Sequence, residues 1–251
     1  IFMFASELKA MLNFGSFNSS IDLESLSHFL SMNYIPGPNT MFKDIKQLPA
    51  GHYLIVKNGA LKINQYWDVC FSADIKVDED AVKEHLLYLL KQSIKKMLRS
   101  DVPLGAFLSG GMDSSTLVAL ITEISGKKLR TFSVGFEEDA FDEPYFAHLA
   151  ARHFDTEHYN LMCSPLDLIQ ALPKIVWHAD NLLADQAMLP LYLVSKLARE
   201  HVTVCLSGDG GDELFLGYPT YIADTYLQYY KKIPYFIRRL FITRIINSLP
   251  A

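Results

Sequence analysis

Apolar and polar residues follow two different patterns along the chain, and the change falls near residue 80. In the first part, the apolar runs GHYLIVKNG and ALKINQYWDV meet at Asn58 and Gly59, a dipeptide that is the strongest short-range signal for a β-hairpin. Before them, LESLSHFLSMNYIPGP has helical spacing and is predicted to end at its prolines. Residues 1–70 are therefore predicted to be rich in short strands and turns.

From Asp80 onward, segments with apolar residues at helical intervals alternate with short apolar runs of the kind buried in parallel sheets. Strands separated by helices of this length imply right-handed crossovers and an α/β fold with a doubly wound parallel sheet. The polar and acidic stretch 71–79 is predicted to be a linker between the two parts. The predicted strands lie within residues 104–109, 128–136, 157–162 and 201–207.

Two of the predicted strands run into similar turns of small and acidic residues. The first continues as SGGMDSS (109–115) and the second as SGDGGDE (207–213). Both turns follow the carboxyl end of a strand, which is the edge of an open α/β sheet where ligands bind. The sequence therefore predicts that the two turns contribute to one site.

The first turn has the composition of an anion site. Its glycines let backbone N–H groups converge without Cβ obstruction, and the following helix adds its positive N-terminal end. The hydroxyls of Ser109, Ser114 and Ser115 are able to donate to phosphate oxygens, whereas Asp113 alone would repel them. A divalent cation removes that conflict, because carboxylate and phosphate oxygens together suit Mg²⁺. Asp212 in the second turn is the natural second carboxylate.

A purely structural role is the alternative to a binding site. No lysine lies between Leu104 and Gly126, which excludes the G-x-x-x-x-G-K-[ST] loop, and the spacing after Gly208 excludes G-x-G-x-x-G. One such turn alone is equally well explained by glycines that close a strand-to-helix turn, with Asp113 and Ser114 as helix caps. Two acid-bearing glycine turns at matching strand ends favour a site.

These residues carry a resemblance to a known family. SGGMDSS resembles the pyrophosphate loop of the ATP pyrophosphatases, and SGDGGDELFLGY resembles the second signature of the glutamine-hydrolysing asparagine synthetases. The upstream segments FASELKAML, LPAGHYLIV and QYWD are similar to the end of the glutaminase domain of the same enzymes. The resemblance covers nearly the whole chain. It implies the β-rich C-terminal part of an N-terminal nucleophile (class II amidotransferase) glutaminase domain over 1–70, a linker over 71–79, and an ATP pyrophosphatase-type synthetase domain, truncated at its C-terminus, over 80–251.

The resemblance assigns a role to each matching position. Asp113 and Asp212 would bind Mg²⁺, and Asp209 would join them as a catalytic residue. The nucleotide would be held by the other matched positions, with Asp113 among them: Leu108 and Val134 beside the adenine, Ser109, Gly110, Gly111, Ser114 and Ser115 at the pyrophosphate, and Ser207 with Gly208 completing the pocket.

The resemblance also implies the reaction. ATP would adenylate a carboxylate, classically that of aspartate, with release of pyrophosphate, and ammonia from glutamine would then displace AMP. Metal and backbone dipoles would offset the repulsion between the carboxylate and the polyphosphate. Asp209 departs from the pattern, because asparagine-forming enzymes carry glutamate there and SGDGGDE is typical of relatives encoded with polysaccharide genes. A sugar acid or another carboxylate therefore stays open as acceptor, and a non-catalytic nucleotide-binding regulator is the alternative function.

Two catalytic groups of the family have no counterpart in the sequence. The glutaminase nucleophile is an N-terminal cysteine, whereas the chain starts at Ile1, and a catalytic lysine of the synthetase domain would lie beyond Ala251. We therefore expect an internal fragment that binds nucleotide weakly and completes no turnover on its own. A homodimer of the full-length protein is compatible with the resemblance, but the sequence does not specify the oligomeric state.

Composition narrows the class of protein further. Half of the residues are hydrophobic and a fifth are charged, as in globular proteins, and the net charge of -5 argues against a nucleic-acid-binding face. Cys70, Cys163 and Cys205 are scattered, which suits a reducing compartment, and the cytoplasm is the expected location. No apolar run reaches the roughly 18 to 20 residues of a membrane span, so neither a nucleic acid nor a membrane is an expected partner.

Three further segments permit both a structural and a functional interpretation. HADNLLADQAMLP contains His178, Asp180 and Asp185, and the resemblance implies that it helps to shape the acceptor site, while a surface loop is equally compatible. The tyrosines between 218 and 235 are predicted to pack against C-terminal helices rather than to stack on bases. FIRRLFITRII is predicted to be a truncated core helix rather than a membrane-surface helix.

Overall fold

The computed structural model describes residues 2–14, 20–70, 78–136 and 143–242. The first part of the chain contains α1 (Leu8–Phe14), α2 (Leu23–Met32), β1 (His52–Lys57) and β2 (Ala60–Gln65). The second part contains, in order, α3 (Glu79–Met97), β3 (Leu104–Phe107), α4 (Met112–Ser125), β4 (Arg130–Phe136), α5 (Glu143–His153), β5 (Glu157–Cys163), α6 (Pro165–Ala179), α7 (Met188–Arg199), β6 (Val204–Leu206), α8 (Gly211–Phe215), α9 (Pro219–Lys232), α10 (Tyr235–Ile237) and a π-helical turn (Arg238–Ile242).

The second part is built on one parallel sheet with the strand order β5-β4-β3-β6. Ala106 of β3 pairs with Thr131 of β4 on one side and with Leu206 of β6 on the other. Helices separate the strands along the chain, so the predicted α/β parallel sheet is confirmed. The strand predicted over 201–207 is shorter than expected, and it forms an edge of the sheet among the described strands.

Helices cover both faces of this sheet. On one face α3, α4 and α5 pack on β3 through a cluster that includes the fully buried Leu108, Val118 and Ile121. On the other face α7 packs on β4, where Val194 and Ala198 contact the cluster around the fully buried Phe132. Because each face buries its own apolar layer, the sheet is doubly wound, as the alternating pattern predicts.

The ends of these helices follow from local chemistry. Asp78 caps α3 and accepts a hydrogen bond from the Ala81 N–H group, and two lysines in the last turn favour the negative end of the helix dipole. The first turn of α6 has a reciprocal capping box between Ser164 and Asp167. Helix α4 ends at Gly126, whose φ of 59° is the left-handed conformation that glycine adopts most readily.

The first part is more helical than its pattern indicates. The hairpin forms where it is predicted, and Asn58 and Gly59 have φ values of 51° and 77°, as the tight turn requires. Helix α2 ends at Asn33, in the left-handed conformation, ahead of the prolines that were expected to end it. Residues 71–77 of the predicted linker lie outside the described residues, as do residues 243–251.

The last described helices leave many apolar side chains at the surface. Tyr226 and Tyr229 of α9 are 70% and 63% exposed. The part of FIRRLFITRII that is described begins with α10 and continues into the π-helical turn. Within the described ranges, every helix is too short or too polar to cross a membrane.

Candidate functional site

The order of the strands places both glycine turns at one position of the sheet. From β3 the chain moves outward in one direction to β4 and β5, and β6 then pairs with the opposite side of β3. The crevice between β3 and β6 is therefore a topological switch point, where open α/β sheets bind their ligands. Leu206 pairs with Ala106, so residues 207–213 and residues 109–115 leave adjacent strand ends.

The first turn is shaped by Gly110. Its φ is 84°, and a Cβ atom at this position would stand 2.5 Å from the backbone nitrogen of Ala147 in α5. Glycine thus allows the turn to lie directly against α5. Helix α4 then begins after Gly111, which provides no side-chain cap, so the N–H groups of the first turn of the helix face the crevice without a capping acceptor from that residue.

Two hydroxyls organise the inside of this turn. Ser109 Oγ and Ser114 Oγ are 3.0 Å apart, within hydrogen-bonding distance. Ser109 Oγ also accepts a hydrogen bond of 3.3 Å from the Gly111 N–H group, while Ser114 Oγ lies 3.2 Å from the Gly111 carbonyl oxygen. Ser114 is buried and Ser109 is exposed, so the pair extends from the base of the turn to solvent. Ser115 follows half-buried in the first turn of α4.

The second turn packs directly on Asp113. A Cβ atom at Gly208 would lie 3.1 Å from both Asp113 Cβ and the Ser114 nitrogen. A Cβ atom at Gly211 would lie 2.5 Å from Asp113 Oδ2 and 3.0 Å from Oδ1. The glycines of the second turn therefore allow its backbone to approach the carboxylate of the first, and the structure brings Asp113, Gly208 and Gly211 together.

The two carboxylates of the second turn have different surroundings. Asp209 is exposed, and Ser207 Oγ donates a hydrogen bond of 2.9 Å to its Oδ2. Asp212, in the first turn of the short α8, places its Oδ1 where a Cβ atom of Gly217 would be. Asp113 thus lies against the start of α8, whereas Asp212 lies against Gly217, the second residue after α8.

This donor set fits Mg²⁺ that arrives together with a polyphosphate. In the part of the chain that the structure describes, no three His, Cys, Asp or Glu side chains form a group that would hold a metal ion by themselves. Asp113 and Asp212 would provide hard oxygen ligands from adjacent turns, and Mg²⁺ in proteins is commonly held by one or two carboxylates, phosphate oxygens and waters. Phosphate oxygens would therefore have to complete the coordination.

The two residues expected beside an adenine lie on opposite faces of the sheet. Leu108 is fully buried in the cluster under α3, α4 and α5, and its N–H group donates to the Phe132 carbonyl oxygen. Val134 belongs to the clusters on the face covered by α6 and α7. Their side chains are not brought together, so Leu108 has only backbone atoms to offer a ligand in this structure.

Comparison with protein-family models assigns most of the second part of the chain to a known family. Residues 85–248 match the family model described as asparagine synthase, and this range contains both glycine turns. The chain belongs to the asparagine synthase family. Residues 1–67 match the model of a glutamine amidotransferase domain.

Relatives within the asparagine synthase family are similar over nearly all of this chain. An asparagine synthetase [glutamine-hydrolyzing] 1 of Bacillus subtilis is 37% identical over 94% of the chain and 37% of its own length. A putative asparagine synthetase 2 of Methanocaldococcus jannaschii is 36% identical over 94% of the chain and 47% of its own length. The chain thus spans less than half the length of these relatives. An NH3-dependent NAD synthetase from Campylobacter jejuni is a weak structural match, with 15% identity, a TM-score of 0.37, and coverage of 57% of this chain and 61% of that chain.

The two matched regions meet at a contact that sequence reasoning missed. Asp180, which follows α6, accepts hydrogen bonds from the backbone N–H groups of Leu8 and Lys9 at the start of α1. Lys9 Nζ lies 3.2 Å from Asp180 Oδ1. Burial alone would raise the pKa of Asp180, but these hydrogen bonds and the Lys9 charge hold it below its usual value. The sequence pattern gave no sign of this contact, because Lys9 and Asp180 are 171 positions apart in the chain.

The segment HADNLLADQAMLP also contains His178 and Asp185, and each of these side chains has its own surroundings. Asp185 Oδ1 accepts a hydrogen bond of 2.9 Å from the Ala187 N–H group, just before α7. His178 lies near Tyr192, with 6.1 Å between their ring centroids.

A small cavity of about 230 Å³ lies between α6 and residues 181–186, which follow it in the chain. Its lining includes Asn181, Asp185 and Gln186 among mostly apolar residues.

A buried polar network extends along β4 and β5 of the asparagine synthase region. The ring of His158 lies 3.0 Å from Thr131 Oγ1 through Nδ1 and 3.2 Å from Ser133 Oγ through Nε2. Ser133 Oγ also donates a hydrogen bond of 2.7 Å to Asn160. Burial, with the nearby His148, lowers the pKa of His158 to about 4, so this network holds a neutral imidazole at neutral pH.

Proposed function

We propose that the complete protein is an ATP-dependent amidotransferase that adenylates a substrate carboxylate, aspartate being the leading acceptor, and transfers ammonia derived from glutamine to form the amide. The observation that supports this most strongly is the packing of one acid-bearing glycine turn on the other at the β3–β6 switch point. Membership in the asparagine synthase family and the match of residues 1–67 to a glutamine amidotransferase domain favour the same reaction.

In this proposal the first turn binds the phosphates of ATP. The N–H groups at the start of α4 and the hydroxyls of Ser109, Ser114 and Ser115 donate to phosphate oxygens. Gly110 and Gly111 keep the backbone accessible, and Ser207 with Gly208 closes the nucleotide pocket from the second turn. Val134 and the backbone of Leu108 lie at the adenine.

The first chemical step joins the acceptor to AMP. A carboxylate oxygen of the acceptor attacks the α-phosphorus, the bond between that phosphorus and the bridging oxygen breaks, and pyrophosphate leaves with the bonding electrons. Mg²⁺ held by Asp113 and Asp212 would supply charge neutralisation on the phosphate oxygens. The turns contribute by orienting the acceptor and ATP in line, since two anions do not approach each other productively without such positioning.

The second step forms the amide. Ammonia attacks the acyl carbon, the bond from that carbon to the AMP oxygen breaks, and AMP leaves while the nitrogen loses a proton. In this proposal that proton is taken up by the carboxylate of Asp209, which is exposed at the second turn and accepts a hydrogen bond from Ser207. A shorter acid than glutamate at this position leaves more room in the crevice, which is why acceptors larger than aspartate deserve testing.

The organisation of the complete protein is part of the proposal. Residues 1–70 would belong to a glutaminase domain, residues 71–79 would connect it to the synthetase domain, and residues 80–251 would carry the ATP site. Cys70, Cys163 and Cys205 are free thiols, which suits work in the cytoplasm.

The direct test is the formation of AMP and pyrophosphate by the complete protein. We expect both products to appear in equal amounts when ATP, Mg²⁺, ammonium and aspartate are present, and to require the acceptor. Asp113→Asn should reduce the rate by about 100-fold. Asp155→Asn, which removes an exposed carboxylate paired with Lys128, is the matched control and should leave the rate unchanged.

The same assay separates the alternatives. Product formation with a sugar acid but not with aspartate would replace the acceptor while retaining the adenylation chemistry. ATP binding that Asp113→Asn abolishes, with no turnover on any carboxylate, would instead indicate a nucleotide-binding regulator. Production of ADP in place of AMP would contradict the proposed reaction.

A further inference from the structure

The loop 180–187, between α6 and α7, is attached to the first part of the chain at three places. At its start, Asp180 binds the backbone of Leu8 and Lys9. In its middle, Leu183 forms an antiparallel bridge with Tyr34, and the Ala184 N–H group donates a hydrogen bond of 2.8 Å to the Asn33 carbonyl oxygen. The contact therefore joins the region that matches a glutamine amidotransferase domain to the region that matches asparagine synthase.

Of these three contacts, the one at Asp180 joins two charged side chains, and both are largely shielded from solvent. The side chains of Lys9 and Asp180 are only 17% and 16% exposed. Lys9 Nζ also donates a hydrogen bond of 3.1 Å to the Trp177 carbonyl oxygen and lies 5.5 Å from the centre of the Trp177 ring. Among the described residues, every other ion pair has at least one side chain that is more exposed than these two, as in Lys128–Asp155 at 58% and 87%. A buried pair with backbone donors fixes its partners more firmly than an exposed pair.

The backbone at Asp180 adopts a conformation that this contact has to hold. Its φ and ψ are 64° and -46°, and the Asn181 N–H group donates a hydrogen bond of 2.7 Å to the Ala179 carbonyl oxygen. These values describe a tight γ-turn with positive φ, a conformation that a residue with a side chain rarely adopts. Such conformations persist where surrounding interactions impose them, and they concentrate at functional sites.

The loop lies at the same edge of the sheet as the two glycine turns. Met188 and Leu189, at the start of α7, pack in one cluster with Val134 and Phe136 near the carboxyl end of β4. Toward its other end α7 packs against Phe132, closer to the start of that strand. Helix α7 therefore runs opposite to the strands, and the loop that precedes it is at their carboxyl ends.

A polar cavity of about 410 Å³ lies beside the Asp180 contact. The first part of the chain contributes Ser6 and Glu7 to its lining, and the second part contributes His178 and Asn181. The walls of this cavity come from both matched regions, so their relative position determines its shape.

We propose that Asp180 is a positioning residue that holds the loop 180–187 on α1 and thereby couples the use of glutamine to amide formation. This proposal rests on the proposed function. In this role Asp180 would act without touching ATP or the acceptor: its contact with Leu8 and Lys9 would keep the amidotransferase region on the edge where the activated carboxylate forms. If the contact is lost, ammonia released by hydrolysis of glutamine escapes to solvent before it reaches the activated carboxylate, whereas ammonia supplied from solution still reaches the site.

The test compares glutamine with ammonium as nitrogen donor in the complete protein. Asp180→Asn and Lys9→Gln each remove one charge of the pair and preserve side-chain size. We expect both variants to release at least about fivefold more glutamate per amide formed than the original protein. Their rate with saturating ammonium should change by less than about twofold, because the ATP site is untouched. The double variant should be no worse than either single variant, since the two residues act in one contact.

Asp155→Asn is the control, because Asp155 also has a positive φ, of 50°, and also pairs with a lysine, but both partners lie in the second part of the chain. It should leave the ratio of glutamate to amide unchanged. An unchanged ratio in Asp180→Asn, or an equal fall of the rates with glutamine and with ammonium, would overturn the positioning role. Absence of ammonium-dependent amide formation in the original protein would instead contradict the proposed function, so the two failures are distinguishable.

Discussion

Gly211 lies so close to Asp113 that a Cβ atom at position 211 would stand 2.5 Å from Oδ2 of that carboxylate. The backbone of Gly211 does not need a positive φ, so the contact itself is the reason for glycine at this position. The atom that would be displaced is the end of a side chain, which moves easily. A methyl group here therefore disturbs the carboxylate and leaves the backbone in place.

If Asp113 holds the metal as proposed, Gly211→Ala should reduce the proposed adenylation by about 100-fold, because a displaced carboxylate would no longer meet the phosphates correctly. Stability should fall by less than about 1 kcal/mol. The measurements are pyrophosphate release and urea unfolding of the complete protein. Leu214→Ala, which truncates a side chain on α8 that is 77% exposed, is the control. A variant with normal activity would mean that Asp113 does not need its observed position.

Gly110 and Gly126 are both glycines that the fold requires, but for different physical reasons. Both have positive φ, but only Gly110 has backbone of another helix next to it, whereas a Cβ atom at Gly126 would meet open space. Gly126→Ala should cost about 1 kcal/mol of unfolding free energy, the cost of the left-handed conformation alone. Gly110→Ala should cost about 3 kcal/mol, because the methyl group also collides with α5. Equal losses in urea denaturation would contradict this packing.

The neutral His158 makes stability depend on pH. Its pKa is lowered from 6.5 to about 4 in the folded protein, so the unfolded chain takes up the proton first as the pH falls. Its contribution is therefore complete above pH 6.5 and is lost as the pH falls from 6.5 toward 4. After allowance for solvent screening, we expect a loss of about 1 kcal/mol between pH 7.5 and pH 5.

His158→Gln should make the pH dependence of the unfolding free energy flatter over this interval. Urea denaturation at several pH values measures this slope for the variant and for the original protein. If His158→Gln and the original protein lose stability in parallel, the imidazole is not held neutral by its surroundings.

The three cysteines should react with alkylating reagents at very different rates. Burial raises the pKa of Cys205 to about 11 and also raises that of Cys163, whereas Cys70 is exposed. At pH 8 only about one Cys205 in a thousand is a thiolate, so it reacts slowly. We expect iodoacetamide to modify Cys70 first, as measured by peptide mass spectrometry. Cys70→Ser protein should resist modification until denaturant is added; early labelling of Cys205 would contradict its burial.

The fold was predictable from sequence because its determinants are local. The Asn58-Gly59 pair specifies a tight turn, Gly126 specifies a helix end, and the apolar runs before Ser109 and Ser207 specify strands in a buried sheet. Each of these signals acts within a few residues, and each element formed. The shared edge of the two glycine turns followed from them, because parallel strands align their carboxyl ends.

Features that depend on contacts between distant segments could not be predicted from local sequence signals. The burial of Leu108 away from Val134 depends on the side of the sheet to which each side chain points, and that direction follows from register. Helix α2 ended at Asn33 because its side-chain type tolerates the left-handed conformation, a local alternative to the prolines that the pattern emphasised. The Lys9–Asp180 contact required knowledge of which segments meet in three dimensions.

The hydroxyl pair of Ser109 and Ser114 would let the first turn bind an anion with little movement of the protein. Because the Ser114 hydroxyl donates to the Gly111 carbonyl oxygen, the proton between the two hydroxyls comes from Ser109, which is the exposed member of the pair. An incoming anion is able to recruit one proton by simple rotation about a C–O bond while every heavy atom stays where it is. The turn is thus already arranged before it is filled, and capture of a negatively charged group entails little reorganisation of the protein.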